Sequence, residues 1–142
     1  MTVALMLKDK GREIVSIAPD APIREAARLL AAHRIGALLV LGAKDRIAGM
    51  LSERDIVRGL AERGEALLGD AVETLMTKKV ITAKPGDTVA HVMALMTRHR
   101  FRHMPVLDGK RLVGMISIGD VVKFRIEEAV HEAEALKAYI AG

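Results

Sequence analysis

The sequence contains no cysteine and no tryptophan, and only one tyrosine and two phenylalanines among its 142 residues. The missing cysteine removes disulfides, thiolate metal sites and a cysteine nucleophile, and it fits a reducing compartment. Without aromatics the core must be aliphatic, and single-stranded nucleic acid finds almost no stacking platform. No apolar run approaches the roughly 20 residues of a membrane span. The short apolar run Val3 to Leu7 is closed at once by Lys8, Asp9 and Lys10, so it does not read as a signal peptide. A cytoplasmic protein with no membrane partner is expected. Charge of one sign is not concentrated either. The 22 Lys and Arg against 18 Asp and Glu leave a net charge of +4. These charges are interspersed, so the excess reads as a solvated surface rather than a nucleic-acid face.

What is present is an internal repeat. Gly49-Met50-Leu51-Ser52-Glu53-Arg54-Asp55 lines up with Gly114-Met115-Ile116-Ser117-Ile118-Gly119-Asp120 at an offset of 65 residues (114 minus 49). Upstream the offset is 66, pairing Ser16 with Thr82 (82 minus 16), Pro19 with Pro85, His33 with His99, Arg34 with Arg100 and Val40 with Val106. One residue is therefore lost in the second copy, at the turn around Asp108-Gly109-Lys110, where a length change is tolerated.

Each copy has the same periodicity. Val15 to Ile17 and Val80 to Thr82 are short extended starts, ended by Pro19 and Pro85. Ile23, Ala26, Ala27, Leu30 and His33, and Val89, Val92, Met93 and Met96, fall at helical spacing. Two strand-length apolar runs follow in each copy, Ala37 to Leu41 with Ile47 to Leu51, and His103 to Leu107 with Leu112 to Ile116. A second helix opens at Ser52 or Ser117. The expected fold class is mixed α/β of the α+β kind, two β-α-β-β-α repeats packed with pseudo-two-fold symmetry. A unit of about 60 residues buries little surface alone. The expected boundaries are a helical lead-in over 1–11, the first repeat over 12–66 and a linker over 67–77 held by Ala71, Leu75 and Met76. The second repeat follows over 78–128 and an amphipathic C-terminal helix over 129–142, covering the parent core or a partner subunit.

Ser-x-x-Asp at a strand-to-helix junction has two readings. Structurally, the serine caps the helix and the aspartate completes a capping box. Functionally, a helix N-terminus attracts phosphate, the carboxylate can accept both hydrogens of a ribose diol, and Gly49 or Gly114 would let a ligand approach the backbone closely. The residues leave both open. Arg54, at a helix start, is the candidate phosphate cation, and Gly119 stands at its position in the second copy.

The duplicated Gly-hydrophobic-hydrophobic-Ser-x-x-Asp, together with Met104-Pro105 on a strand and Ser16 and Thr82 at the first strands, resembles the CBS-domain family. The resemblance covers about residues 12 to 128 and looks like a stand-alone pair of the bacterial signal-transduction kind. It implies a regulatory module that binds an adenine nucleotide, whether AMP, ADP, ATP, NAD(H) or S-adenosylmethionine, in clefts between the repeats. By position, one site would use Thr82, His103, Met104, Pro105, Ser117 and Asp120. The other would use Ser16, Ala37, Leu38, Ser52, Arg54 and Asp55, with Leu39 where the family has proline. The resemblance also implies a homodimer and an unidentified regulated protein. The alternative is a ligand-free dimerisation or protein-interaction module. No catalytic constellation is visible, and the five histidines lack a carboxylate or cysteine at ligand spacing, so neither an enzyme nor a metal site is expected.

Overall fold

The computed structural model describes residues 1–11 and 13–141. Arg12, where the first repeat is expected to begin, and Gly142, at the expected C-terminal end, lie outside the described residues. In chain order the elements are α1 (Val3–Lys10), β1 (Ser16–Ile17), α2 (Ile23–His33), β2 (Ala37–Leu41), β3 (Ile47–Ser52) and α3 (Glu53–Arg63). They continue with α4 (Val89–His99), β4 (His103–Asp108), β5 (Arg111–Ser117) and α5 (Ile118–Ala141). The chain forms two compact units, Ile14–Val80 and Met1–Glu13 with Ile81–Gly142.

In the first-repeat unit, β1 lies parallel to β2, which pairs antiparallel with β3. One face of α2 is apolar at helical spacing, and Ile23, Ala26 and Leu30 are its buried residues. They pack with Ile17, Leu38, Val40, Leu51 and Ile56. The linker is part of this core. Leu67 and Val72 are its fully buried residues, with Leu75 and Met76 packed beside them. Ala71 instead forms a backbone bridge to Pro22.

The second-repeat unit repeats these features with one difference. On α4, Val89, Val92 and Met96 are buried, and β4 pairs antiparallel with β5. The expected strand over Val80 to Thr82 does not form; a single parallel bridge joins Ala83 to Val106. The reason is Pro105. Its first-repeat counterpart, Leu39, donates its N–H to the Val15 carbonyl, whereas proline has no N–H to give. The Ile81 carbonyl, the counterpart of Val15's, therefore receives no N–H from residue 105, and the pairing is confined to Ala83, which donates to the Pro105 carbonyl and accepts from the Leu107 N–H, both at 2.9 Å.

The segment Val3–Lys10 is helical, and it packs into the second-repeat unit. Val3, Met6 and Leu7 are buried with Ala83, Val89, Met104 and Ile116. Two otherwise orphaned N–H groups at its start, from Val3 and Ala4, donate to the carbonyls of Asp87 and Pro85 at 2.9 Å. The C-terminal helix also departs from expectation. There is no break near residue 128, and α5 runs unbroken to Ala141. Of its residues only Val121 and Phe124 are buried in the core. Ile126, Val130, Leu136, Tyr139 and Ile140 stay exposed, so this end does not cover the parent core.

Candidate functional site

Both signatures sit where a strand runs directly into a helix. In the first-repeat unit the Ser52 N–H donates to Asp55 Oδ2 at 3.0 Å, and the Asp55 N–H donates to Ser52 Oγ at 3.2 Å. In the second-repeat unit the Ser117 N–H donates to Asp120 Oδ2 at 2.8 Å, and the Asp120 N–H donates to Ser117 Oγ at 3.2 Å. Both are reciprocal capping boxes, so the structural reading of the motif is correct in each copy. The first N–H of each helix is also engaged. Glu53 donates to the Gly36 carbonyl at 2.9 Å and Ile118 to the Arg102 carbonyl at 2.8 Å. Of the first three helical N–H groups, only those of Arg54 and Gly119 remain to meet an anion.

The two glycines do not open the backbone to a ligand along the direction a side chain would take. A Cβ on Gly49 would meet the Thr77 carbonyl oxygen at 2.6 Å and Met76 Sδ at 2.7 Å. One on Gly114 would meet Leu7 Cδ2 at 2.5 Å. The space is filled by protein, by the linker in one unit and by α1 in the other. The expected role of these glycines in ligand approach is therefore replaced by packing.

The strands bring the expected site residues together within each unit. Ala37 pairs with Ser52 and Leu38 with Leu51, while Ser16 on β1 pairs with Leu39. In the other unit His103 pairs with Ser117, Met104 with Ile116 and Pro105 with Met115. Thr82 is half-buried and immediately precedes the bridging Ala83. Leu38 and Met104 are fully buried in their cores, so a ligand could meet only their backbone. Asp55 and Asp120 are half-buried, and Arg54 is exposed.

The carboxylates differ in a way the repeat alignment does not reveal. Lys10, the last residue of α1, donates from Nζ to Asp120 Oδ2 at 2.6 Å and to the Met115 carbonyl at 2.8 Å. The Ser117 hydroxyl donates to the same Oδ2 at 2.9 Å. Burial pushes the Asp120 carboxyl up. The hydrogen bonds from Lys10 and Ser117 and the lysine charge outweigh it and hold the carboxyl below its ordinary value. None of the ion pairs among the described residues includes Asp55. Lys10 lies outside the repeat and was not singled out. No spacing or motif in the sequence connects it with Asp120, 110 residues away. Among the described residues no group of three or more His, Cys, Asp or Glu is placed to hold a metal ion, and no helix is long and apolar enough to cross a membrane.

The sequence matches the CBS domain family twice, over residues 7–62 and 72–127. The mitochondrial CBS domain-containing protein CBSX3 of Arabidopsis thaliana is 35% identical over 149 residues, covering 99% of this chain and 72% of that protein. Among solved structures, the CBS-domain containing protein ATU1752 from Agrobacterium tumefaciens is 45% identical with a TM-score of 0.85, over 87% of this chain and 92% of that one. The CBS domain pair of protein MJ0100, in complex with 5'-methylthioadenosine and S-adenosyl-L-methionine, is 26% identical with a TM-score of 0.80, over 90% and 98% of the two chains.

Proposed function

This chain belongs to the CBS domain family, and we propose on that premise that it is a regulatory module whose two units bind adenosine-containing ligands, adenine nucleotides above all. One observation carries the proposal. In both units the capping box holds a half-buried aspartate in the first turn of the helix that follows a strand, bonded back to the serine that ends that strand. A carboxylate held this way can accept the hydroxyls of a ribose. The adenosine ligands of the MJ0100 pair, at 26% identity, support the same ligand class. We read the role of this arrangement as binding.

Calorimetry with AMP, ADP, ATP, NAD and S-adenosylmethionine tests the proposal. At least one should bind well below millimolar, where binding free energy is only about 4 kcal/mol. Asp55→Ala and Asp120→Ala should each remove binding at one unit. If no ligand in the set binds, the sensor reading fails. A ligand-free interaction module then stands, a reading favoured by the fact that both boxes are already internally satisfied. Nucleotide-induced stabilisation separates the two, since a bound ligand raises the melting temperature of the native protein.

For the partner we propose a second copy of the chain, joined through α5. Val122, Ile126, Ala129, Ala133, Leu136 and Ile140 recur at alternating four- and three-residue steps, the pattern of a coiled-coil seam. Truncation after residue 128 should shift the sedimentation of the protein toward the monomer.

A further inference from the structure

We propose that Lys10 makes the Asp120 subsite select phosphorylated adenosine ligands over neutral and cationic ones. The inference rests on the reading of Asp120 as a ribose acceptor and assigns that subsite a charge preference. Lys10 Nζ is bonded to Asp120 Oδ2 and to the Met115 carbonyl, at 2.6 and 2.8 Å. An ammonium has three N–H donors, so two are used inside the subsite and one remains for a ligand. The cation is fixed rather than floating, because α1 is anchored by buried Val3, Met6 and Leu7. The pair is partly enclosed, with the side chains 34% and 24% exposed.

Oδ2 of Asp120 already accepts from Lys10, from the Ser117 N–H and from the Ser117 hydroxyl. Oδ1 of the same carboxylate accepts none of these bonds, so a ribose hydroxyl can bond there while Lys10 stays on Oδ2. A neutral nucleoside leaves the third N–H of the ammonium to solvent. A nucleotide phosphate brings a second counter-charge to it. The sulfonium of S-adenosylmethionine adds a second cation instead. The order at this subsite is therefore phosphorylated, then neutral, then cationic. Asp55 takes part in no ion pair among the described residues, so the first-repeat subsite should not share this Lys10-dependent order.

The test measures AMP, adenosine and S-adenosylmethionine by calorimetry in the Asp55→Ala background, which leaves the Asp120 subsite. AMP should bind about tenfold more tightly than adenosine, a modest factor because solvent screens a partly exposed cation. Lys10→Met, which keeps the aliphatic stem, should shrink that ratio severalfold and tighten S-adenosylmethionine relative to AMP. Lys10→Arg should restore the ratio. An unchanged ratio in Lys10→Met overturns the inference. A proportional loss of all three ligands does so as well, since it reports damage to the fold. If the ligands still bind in the Asp55→Ala protein and are lost on adding Asp120→Ala, the ribose reading survives that failure. If the Asp55→Ala protein binds none of the three, the ribose reading of Asp120 falls too.

Discussion

The Asp55 and Asp120 junctions share a motif, a capping box and a strand register, yet they differ in what completes them. At Asp55 the signature strand is covered by the linker. Met50 and Thr77 exchange two backbone hydrogen bonds at 2.9 Å, and Gly49 lies under the Thr77 carbonyl. At Asp120 the cover is a helix from the opposite end of the chain, with Leu7 over Gly114 and Lys10 on the carboxylate. Duplication copies a short motif faithfully, but each junction is covered by the segment that precedes the other copy's first strand, and the two segments differ in structure. One junction therefore has a tethered cation in contact with its carboxylate, and among the described residues the other has none.

The strongest way to expose this difference is at the two glycines. Gly49→Ala pushes a methyl group against a backbone carbonyl and should destabilise by about 2–3 kcal/mol. Gly114→Ala meets the end of a leucine side chain that can rotate away, and should cost about 1 kcal/mol. Urea denaturation of both variants decides the matter, and equal losses would contradict the contrast between rigid and flexible cover.

A smaller effect is expected at the boxes themselves. Asp55→Ala and Asp120→Ala each remove half of a capping box, worth about 1 kcal/mol. Asp120→Ala also removes the Lys10 pair, which adds at most about 1 kcal/mol because both partners are partly solvated. If Asp55→Ala proves the more destabilising in ligand-free protein, the lysine contributes nothing to the fold.

The pair should also be visible in the acid response. The Asp120 carboxyl is held below its ordinary value, so the folded state binds this proton less readily than the unfolded chain does. The stabilisation is present above the unfolded-state pKa of about 3.9 and is lost as pH falls through the lower folded-state value. The stability gap between the native protein and Lys10→Met should therefore be open at pH 6 and should narrow as pH falls below the ordinary carboxylate range. A gap that does not change over this range would mean the lysine acts through packing alone.

The subtlest expectation concerns the strands beside each junction. Pro105→Leu restores an N–H where the first repeat has Leu39, and should raise hydrogen-exchange protection next to Ala83. Leu39→Pro should lower protection at β1. Stability should change by less than about 1 kcal/mol in either direction, because the Leu39 bond to Val15 is long, at 3.5 Å.

Much of this was legible in the sequence because it is local or periodic. The helical spacing of Ile23, Ala26 and Leu30, and the strand runs either side of Gly109, follow from patterns a few residues long. The capping boxes were legible because serine and aspartate three residues apart meet by helix geometry alone. The missing strand before Ala83 was also written there, in the single residue Pro105, but its consequence depends on a partner more than twenty residues away. The glycines misled for a related reason. A glycine in a strand signals a close approach without saying whether a ligand or the protein's own Met76 or Leu7 makes it.

By itself, then, the sequence determined the duplicated α-β-β-α pattern, the aliphatic cores and the capped junctions, since each depends on neighbours along the chain. Only the tertiary structure decided which segment finishes each unit. Lys10 and Asp120 are separated by 110 residues, and no periodicity or motif connects them. Their meeting depends on Val3, Met6 and Leu7 finding the apolar surface of the second repeat, a choice made by burial in three dimensions rather than by any rule of spacing.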